Sequence, residues 1–202
     1  MAYRRTPQIQ VRLDAQRAAI LNAAAELLAE EGYAACSMAR VATRAGVAAG
    51  TVYNHFDNKS GLLVELFRTI VTREVHAVGD ATRGGTAAEQ ITAVIETFAG
   101  RALKHPRRAY ALLAEPVDPA VDRLRLDFRV AFRDVIAAAI SHGVRTGELP
   151  AQECAVVAAA LVGAVGEALL GPLAAGAEDA ATMPTLIQFA HRAIGGHVHV
   201  DA

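Results

Sequence analysis

Apolar residues return at three- and four-residue spacing along nearly the whole chain, which predicts a succession of helices. Ile20, Ala24, Leu27 and Leu28 form one stripe and predict a first helix over 13–31, stopped by Gly32 as a left-handed cap. Ser37 is the expected N-cap of a short second helix that buries Met38, Val41, Ala42 and Ala45 and ends at Gly46. A third short helix is expected over 49–56, where Asp57-Asn58 breaks it. Asn58 then caps a fourth over 59–78, with Leu62, Leu63, Leu66, Phe67, Ile70 and Val71 in phase. Gly79 and Gly84-Gly85 interrupt the pattern, and Thr86 to Glu89 has the form of a capping box opening a fifth helix over 87–104. Further helices are expected over 106–114, 120–142, 152–170 and 183–194, with a turn at 143–150.

Composition strengthens this all-α reading. Of 202 residues, 53% are hydrophobic and 20% charged, so a substantial core is available and wholesale disorder is excluded. Alanine dominates and tryptophan is absent, which favours helices over strands. The net charge of −1 says little, but it is unevenly spread. Residues 1–60 carry seven Lys/Arg against five Asp/Glu, and the remainder thirteen against sixteen. A basic head on an acidic body suits contact with phosphate.

Several chemistries find no support. Cys36 and Cys154 lie outside any CxxC or Cys/His cluster and read as reduced thiols of a cytoplasmic protein. His197 and His199 have no third ligand nearby, so no metal is expected. No Ser-His-Asp order, glycine-rich phosphate loop or HExxH occurs, and neither enzyme activity nor a cofactor is expected. Glu115, Asp118 and Asp122 surround two prolines at a helix start and read as caps and dipole partners. The first residues carry charge without an apolar run, so a secretory signal is not expected. Residues 155–175 are apolar enough to resemble a membrane span, but Glu167 interrupts them and Pro172 stands near their end; a buried helix and no membrane partner are expected.

The informative stretch is Ser37 to Lys59, SMARVATRAGVAAGTVYNHFDNK. Two short helices separated by a glycine-containing turn make a helix-turn-helix, whose second helix enters the DNA major groove while the first braces it. Ala48, Ala49, Gly50 and Thr51 are small enough to let the backbone approach a duplex. Polar groups cluster where phosphates would lie: Thr51, Tyr53, His55 and Lys59, with Ser37 and Arg44 on the bracing helix. Arg4 and Arg5 could reach a minor groove as a basic arm.

The run Gly32-Tyr33, Ser37 to Gly46, and Gly50-Thr51-Val52-Tyr53-Asn54-His55-Phe56-x-x-Lys59 resembles the TetR/AcrR family of repressors over about residues 13–66. The resemblance implies a three-helix DNA-binding head at 1–58. It also implies an effector-binding, dimerising body at 59–202 and a homodimer on a palindromic operator, released when an effector moves the fourth helix. Carried over by position, Thr51, Tyr53, His55 and Lys59 would contact phosphates, and Thr43, Arg44, Ala49 and Asn54 would face or flank bases. Three positions depart from the family pattern. Ala48 replaces a hydroxyl N-cap, Arg40 an acidic residue, and Gly61 an acidic residue in the fourth helix's first turn. The alternative reading is a helical small-molecule carrier or enzyme that keeps a vestigial head.

A mostly apolar pocket among helices four to eight also follows from the resemblance. Phe67, Phe98, Tyr110, Phe128 and Phe132 are candidates for its wall or for ordinary core, with His76, Tyr110, Arg129 and Glu167 as polar anchors. No Lys or Arg occurs between Thr146 and His191. Ala160, Ala164 and Ala168, with Gly163, put small residues on a helix stripe that permits close packing. These residues and Phe189 are the expected dimer contacts.

Overall fold

The computed structural model of the protein describes residues 7–176 and 180–195. Arg4, Arg5, His197 and His199 lie outside the described residues. Nine α-helices and one 3-10 turn are described, and no strand occurs among the described residues. In chain order they are α1 (Pro7–Glu31), the 3-10 turn (Tyr33–Ala35), α2 (Met38–Ala45), α3 (Ala49–His55) and α4 (Lys59–Ala81). They continue with α5 (Ala87–Lys104), α6 (Pro106–Leu113), α7 (Pro119–Thr146), α8 (Cys154–Ala175) and α9 (Thr182–Ala193).

Local chemistry accounts for most boundaries. Ser37 Oγ accepts the Arg40 N–H, and Gly46 closes α2 in the left-handed region at φ 67°, ψ 31°. Asn58 Oδ1 accepts the Gly61 N–H at 2.9 Å and caps α4. Thr86 and Glu89 complete the capping box of α5 in both directions.

Other boundaries differ from the sequence expectation. α1 is already helical at Pro7, the first described residue, about two turns ahead of the expected start. Gly32 has φ 84° but ψ −174°, so it turns the chain without forming a left-handed cap. Gly79 lies inside α4, and α7 runs on through Gly143 to Thr146, stopped by Gly147. Gly143 is not a breaker but a packing site: a Cβ there would lie 2.5 Å from Ala87 Cβ. α8 continues past Pro172 to Ala175; a proline this near the C-terminus forfeits one backbone bond without ending the helix.

Two hydrophobic cores organise the chain. One gathers Ile20, Leu27 and Leu28 of α1, Val41 of α2, Val52 of α3 and Leu62, Leu63, Leu66 and Phe67 of α4. It also takes in Ala111, Val121 and Leu124 from α6 and α7, so the head is seated on the body through a continuous apolar layer. The other joins α5, α7, α8 and α9 around Ile91, Ile140, Leu161, Leu169 and Ile194. α8 is long and apolar enough to cross a membrane by length and composition. Its Ala158, Leu161, Val165, Leu169 and Leu173 are buried in the second core, Val157 and Val162 pack partly against it, and Val156, Ala159, Ala160, Gly163 and Ala168 are exposed.

Candidate DNA-binding face and ligand cavity

α3 is anchored by a single buried side chain, Val52. Ala49, Gly50, Tyr53 and Asn54 are exposed, and Tyr53 shows 54% of its surface. Ala48, the N-cap, makes no side-chain cap bond, so the first N–H groups of α3 keep no protein partner of that kind. A thin helix with small residues and hydroxyls outward is what a duplex groove admits.

Thr51 is half-buried, and most of the other polar residues singled out in the sequence have partners within the chain. Thr43 Oγ1 donates to the Ala39 carbonyl at 3.1 Å. Arg44 grips Glu30 with two bonds of 3.0 and 2.7 Å and reaches Glu26 at 3.4 Å. Those bonds hold the Glu30 carboxyl below its ordinary range. His55 Nε2 lies 3.0 Å from Gln16 Oε1. Lys59 Nζ donates to the Tyr33 carbonyl at 3.2 Å and sits 4.6 Å above the Tyr33 ring. Arg40, the departure from an acidic residue, forms an ion pair with Glu31.

Sequence reasoning missed the residue that fixes this face. Arg17 of α1 donates to the His55 carbonyl at 2.9 Å, forms an ion pair with Glu65 of α4, and lies 4.4 Å over the Phe56 ring. It joins the end of α3 to both long helices. Its only sequence signal is a cation one turn before Ile20 on the stripe of α1.

The body holds a cavity of about 270 Å³. Its wall is mostly apolar and includes Phe67, Phe98, Phe128, Phe132, Ile95 and Leu161. Phe98 and Phe132 meet edge to face at 5.1 Å. Of the expected anchors Arg129 lines the cavity, whereas His76, Tyr110 and Glu167 are not among the lining residues. His76 and Glu167 are exposed and Tyr110 is half-buried. Three arginines that the sequence did not single out line it too: Arg101, Arg108 and Arg125. Arg101 is paired with Glu74, and Arg125 lies 3.9 Å from Asp122. Burial lowers the Arg125 pKa. Arg108 and Arg129 make no ion pair among the described residues. Outside the cavity, Ala160, Gly163 and Ala168 are exposed on α8, Ala164 is half-buried, and Phe189 of α9 shows 45% of its surface.

With this geometry in place, residues 20–66 match the profile of the bacterial regulatory proteins, tetR family. Residues 20–66 are thus a tetR-family segment. Residues 77 in number align at 36% identity with the fatty acid metabolism regulator protein of Bacillus subtilis, over 38% of this chain and 40% of that protein. The transcriptional activator FasR of Mycolicibacterium smegmatis is 29% identical over 74% of this chain and 68% of its own length. The crystal structure of the regulator FadR from Bacillus subtilis in complex with stearoyl-CoA superposes with a TM-score of 0.76 at 19% identity, covering 90% of this chain and 99% of that one. The last likeness shows that the fold shared with that structure extends through the body, beyond the matched head.

Proposed function

We propose that the protein is a ligand-responsive transcriptional regulator that binds a palindromic operator as a homodimer and leaves it when a long-chain acyl-CoA fills the cavity. The outward face of α3, a helix whose one buried side chain is Val52, is lined by Ala49, Gly50, Tyr53 and Asn54 and is the observation that carries the reading. Thr51, Tyr53, His55 and Lys59 hold phosphates in this reading, together with Ser37 at the start of α2. Thr43, Arg44, Ala49, Gly50 and Asn54 face or flank bases. Arg44 exchanges its exposed carboxylate partners for DNA at small cost, since solvent-exposed ion pairs contribute little to stability. Residues 1–58 act as the head and 59–202 as the body.

The ligand class rests on the cavity and on two relatives. An apolar aromatic wall accepts an acyl chain, and Arg108 and Arg129 offer unpaired guanidinium groups to an anionic head. The open small-residue face of α8, with Phe189, supplies the dimer contact. The working compartment is the cytoplasm, and the action is repression.

The test is selection of genomic fragments by the purified full chain, followed by titration of the selected DNA with and without stearoyl-CoA. Enrichment of a palindrome, salt-sensitive binding and release by stearoyl-CoA are expected. Failure to enrich any fragment overturns the regulator and favours the carrier. Enrichment without release overturns the ligand class. A Thr51→Ala, Tyr53→Phe double variant is expected to weaken every sequence alike; unchanged affinity removes the phosphate roles.

A further inference from the structure

Tyr33 is a residue of the head whose polar atoms are held by the body. Its N–H donates to Glu115 Oε2 at 2.6 Å. Its hydroxyl donates to Asp118 Oδ2 at 2.6 Å and accepts the Asp118 N–H at 3.2 Å. Its carbonyl accepts Lys59 at the first residue of α4. Glu115 and Asp118 both stand on the connection between α6 and α7. From the opposite end of α6, Arg107 donates to the Glu31 carbonyl at 3.1 Å. Gly32 makes the approach possible: at φ +84° a Cβ would collide with the Glu115 carboxylate.

The same connection is tied to the cavity. Arg125, on the cavity wall, donates to the carbonyls of Ala111 at 2.7 Å and Leu112 at 2.8 Å in the last turn of α6. Its guanidinium lies 5.8 Å from the Phe67 ring centroid, and Phe67, also on the wall, meets Tyr33 edge to face at 6.4 Å. Apolar packing between head and body is non-directional and tolerates sliding. The bonds to Tyr33 are directional and weaken steeply with misalignment.

We infer that Tyr33 is the joint through which an occupied cavity acts on the head, and that Arg125 is the positioning residue between them. A ligand that draws the Arg125 guanidinium or displaces Phe67 loosens the last turn of α6. The 114–118 connection then shifts, and the turn carrying Tyr33 shifts with it. This rests on the ligand-responsive reading above, and it places the transmitting element on the α6–α7 connection as well as on α4.

The experiment uses the full chain, its selected operator fragment and stearoyl-CoA, and measures DNA affinity, stearoyl-CoA affinity and the ratio of DNA affinities with and without it. For the unmutated chain a ratio of about 10- to 100-fold is expected. Tyr33→Phe, outside the cavity, should bring it below about 3-fold while both separate affinities survive; Arg125→Gln should bring the ratio at saturating stearoyl-CoA below about 3-fold even where stearoyl-CoA binds more weakly, and Arg125→Lys should restore part of it. Phe132→Leu, on the wall but outside this chain of contacts, should weaken stearoyl-CoA binding and leave the ratio at saturation unchanged. Amide exchange at Tyr33 in the unmutated chain should accelerate when stearoyl-CoA is added, a readout that needs no variant to fold. A ratio of one in the unmutated chain defeats the parent reading. A normal ratio in both variants, or unchanged Tyr33 exchange while DNA is released, overturns the joint.

Discussion

α2 and α3 are neighbours of nearly equal length, eight and seven residues, yet they are held in opposite ways. α2 is pinned at both ends, by the Ser37 cap and by Gly46, and its Arg40 and Arg44 are tied to carboxylates of α1. α3 has no side-chain cap at its start and one buried anchor, while its far end is held from outside by Arg17. The bracing helix is fixed by many small terms; the inserting helix is positioned from behind, which leaves its outer surface clear. A helix that must enter a groove cannot also be restrained on the face it presents.

The contrast can be tested by weakening or strengthening each restraint. Val52→Ala truncates the one buried side chain of α3 and should cost about 2–3 kcal/mol of unfolding free energy in denaturant titration, since two buried methyl groups and the space they leave are involved. A cost near zero would mean that α3 is held chiefly by Arg17. Gly46→Val forces a β-branched residue into the left-handed region and should cost about 1–2 kcal/mol by the same measurement. Ala48→Ser gives α3 the cap it lacks and should add about 1 kcal/mol, seen as a melting-temperature rise of about 2–4 °C. No rise would show that the first turn of α3 is already satisfied by water. The smallest effect is set by pH. Burial, followed by the bond to Asp118, pushes the Tyr33 hydroxyl from 10.0 up to about 12. Its contribution is therefore complete below pH 10 and is lost as pH rises toward 12, where the neutral hydroxyl is removed. Denaturation curves through that window should fall less steeply for Tyr33→Phe than for the unmutated chain.

Features written within a few residues were legible in the sequence. The capping box at Thr86–Glu89, the Ser37 and Asn58 caps and the Gly46 stop all depend on neighbours three or four positions away. Glycine was read less well, because one residue type serves two purposes: Gly46 ends a helix by conformation, whereas Gly143 sits inside one to let another helix approach. Arg17 and Tyr33 were opaque because their partners are between 26 and 85 residues distant. The aromatic wall is readable by type, whereas its polar members are set by helical phase. Arg125 follows Val121 by four positions and precedes Phe128 and Phe132 by three and seven, which puts a guanidinium on an apolar stripe.

The close seating allowed by Gly143 has a consequence for how the body comes apart. Ala87 rests against α7 there, and the Ala87 N–H donates at 2.6 Å to Glu148, just beyond the helix end. The start of α5 and the finish of α7 thus share one fastening, so neither can fray alone. Heat should melt these two helices as a single cooperative unit, and filling position 143 with even a methyl group should split that transition into two.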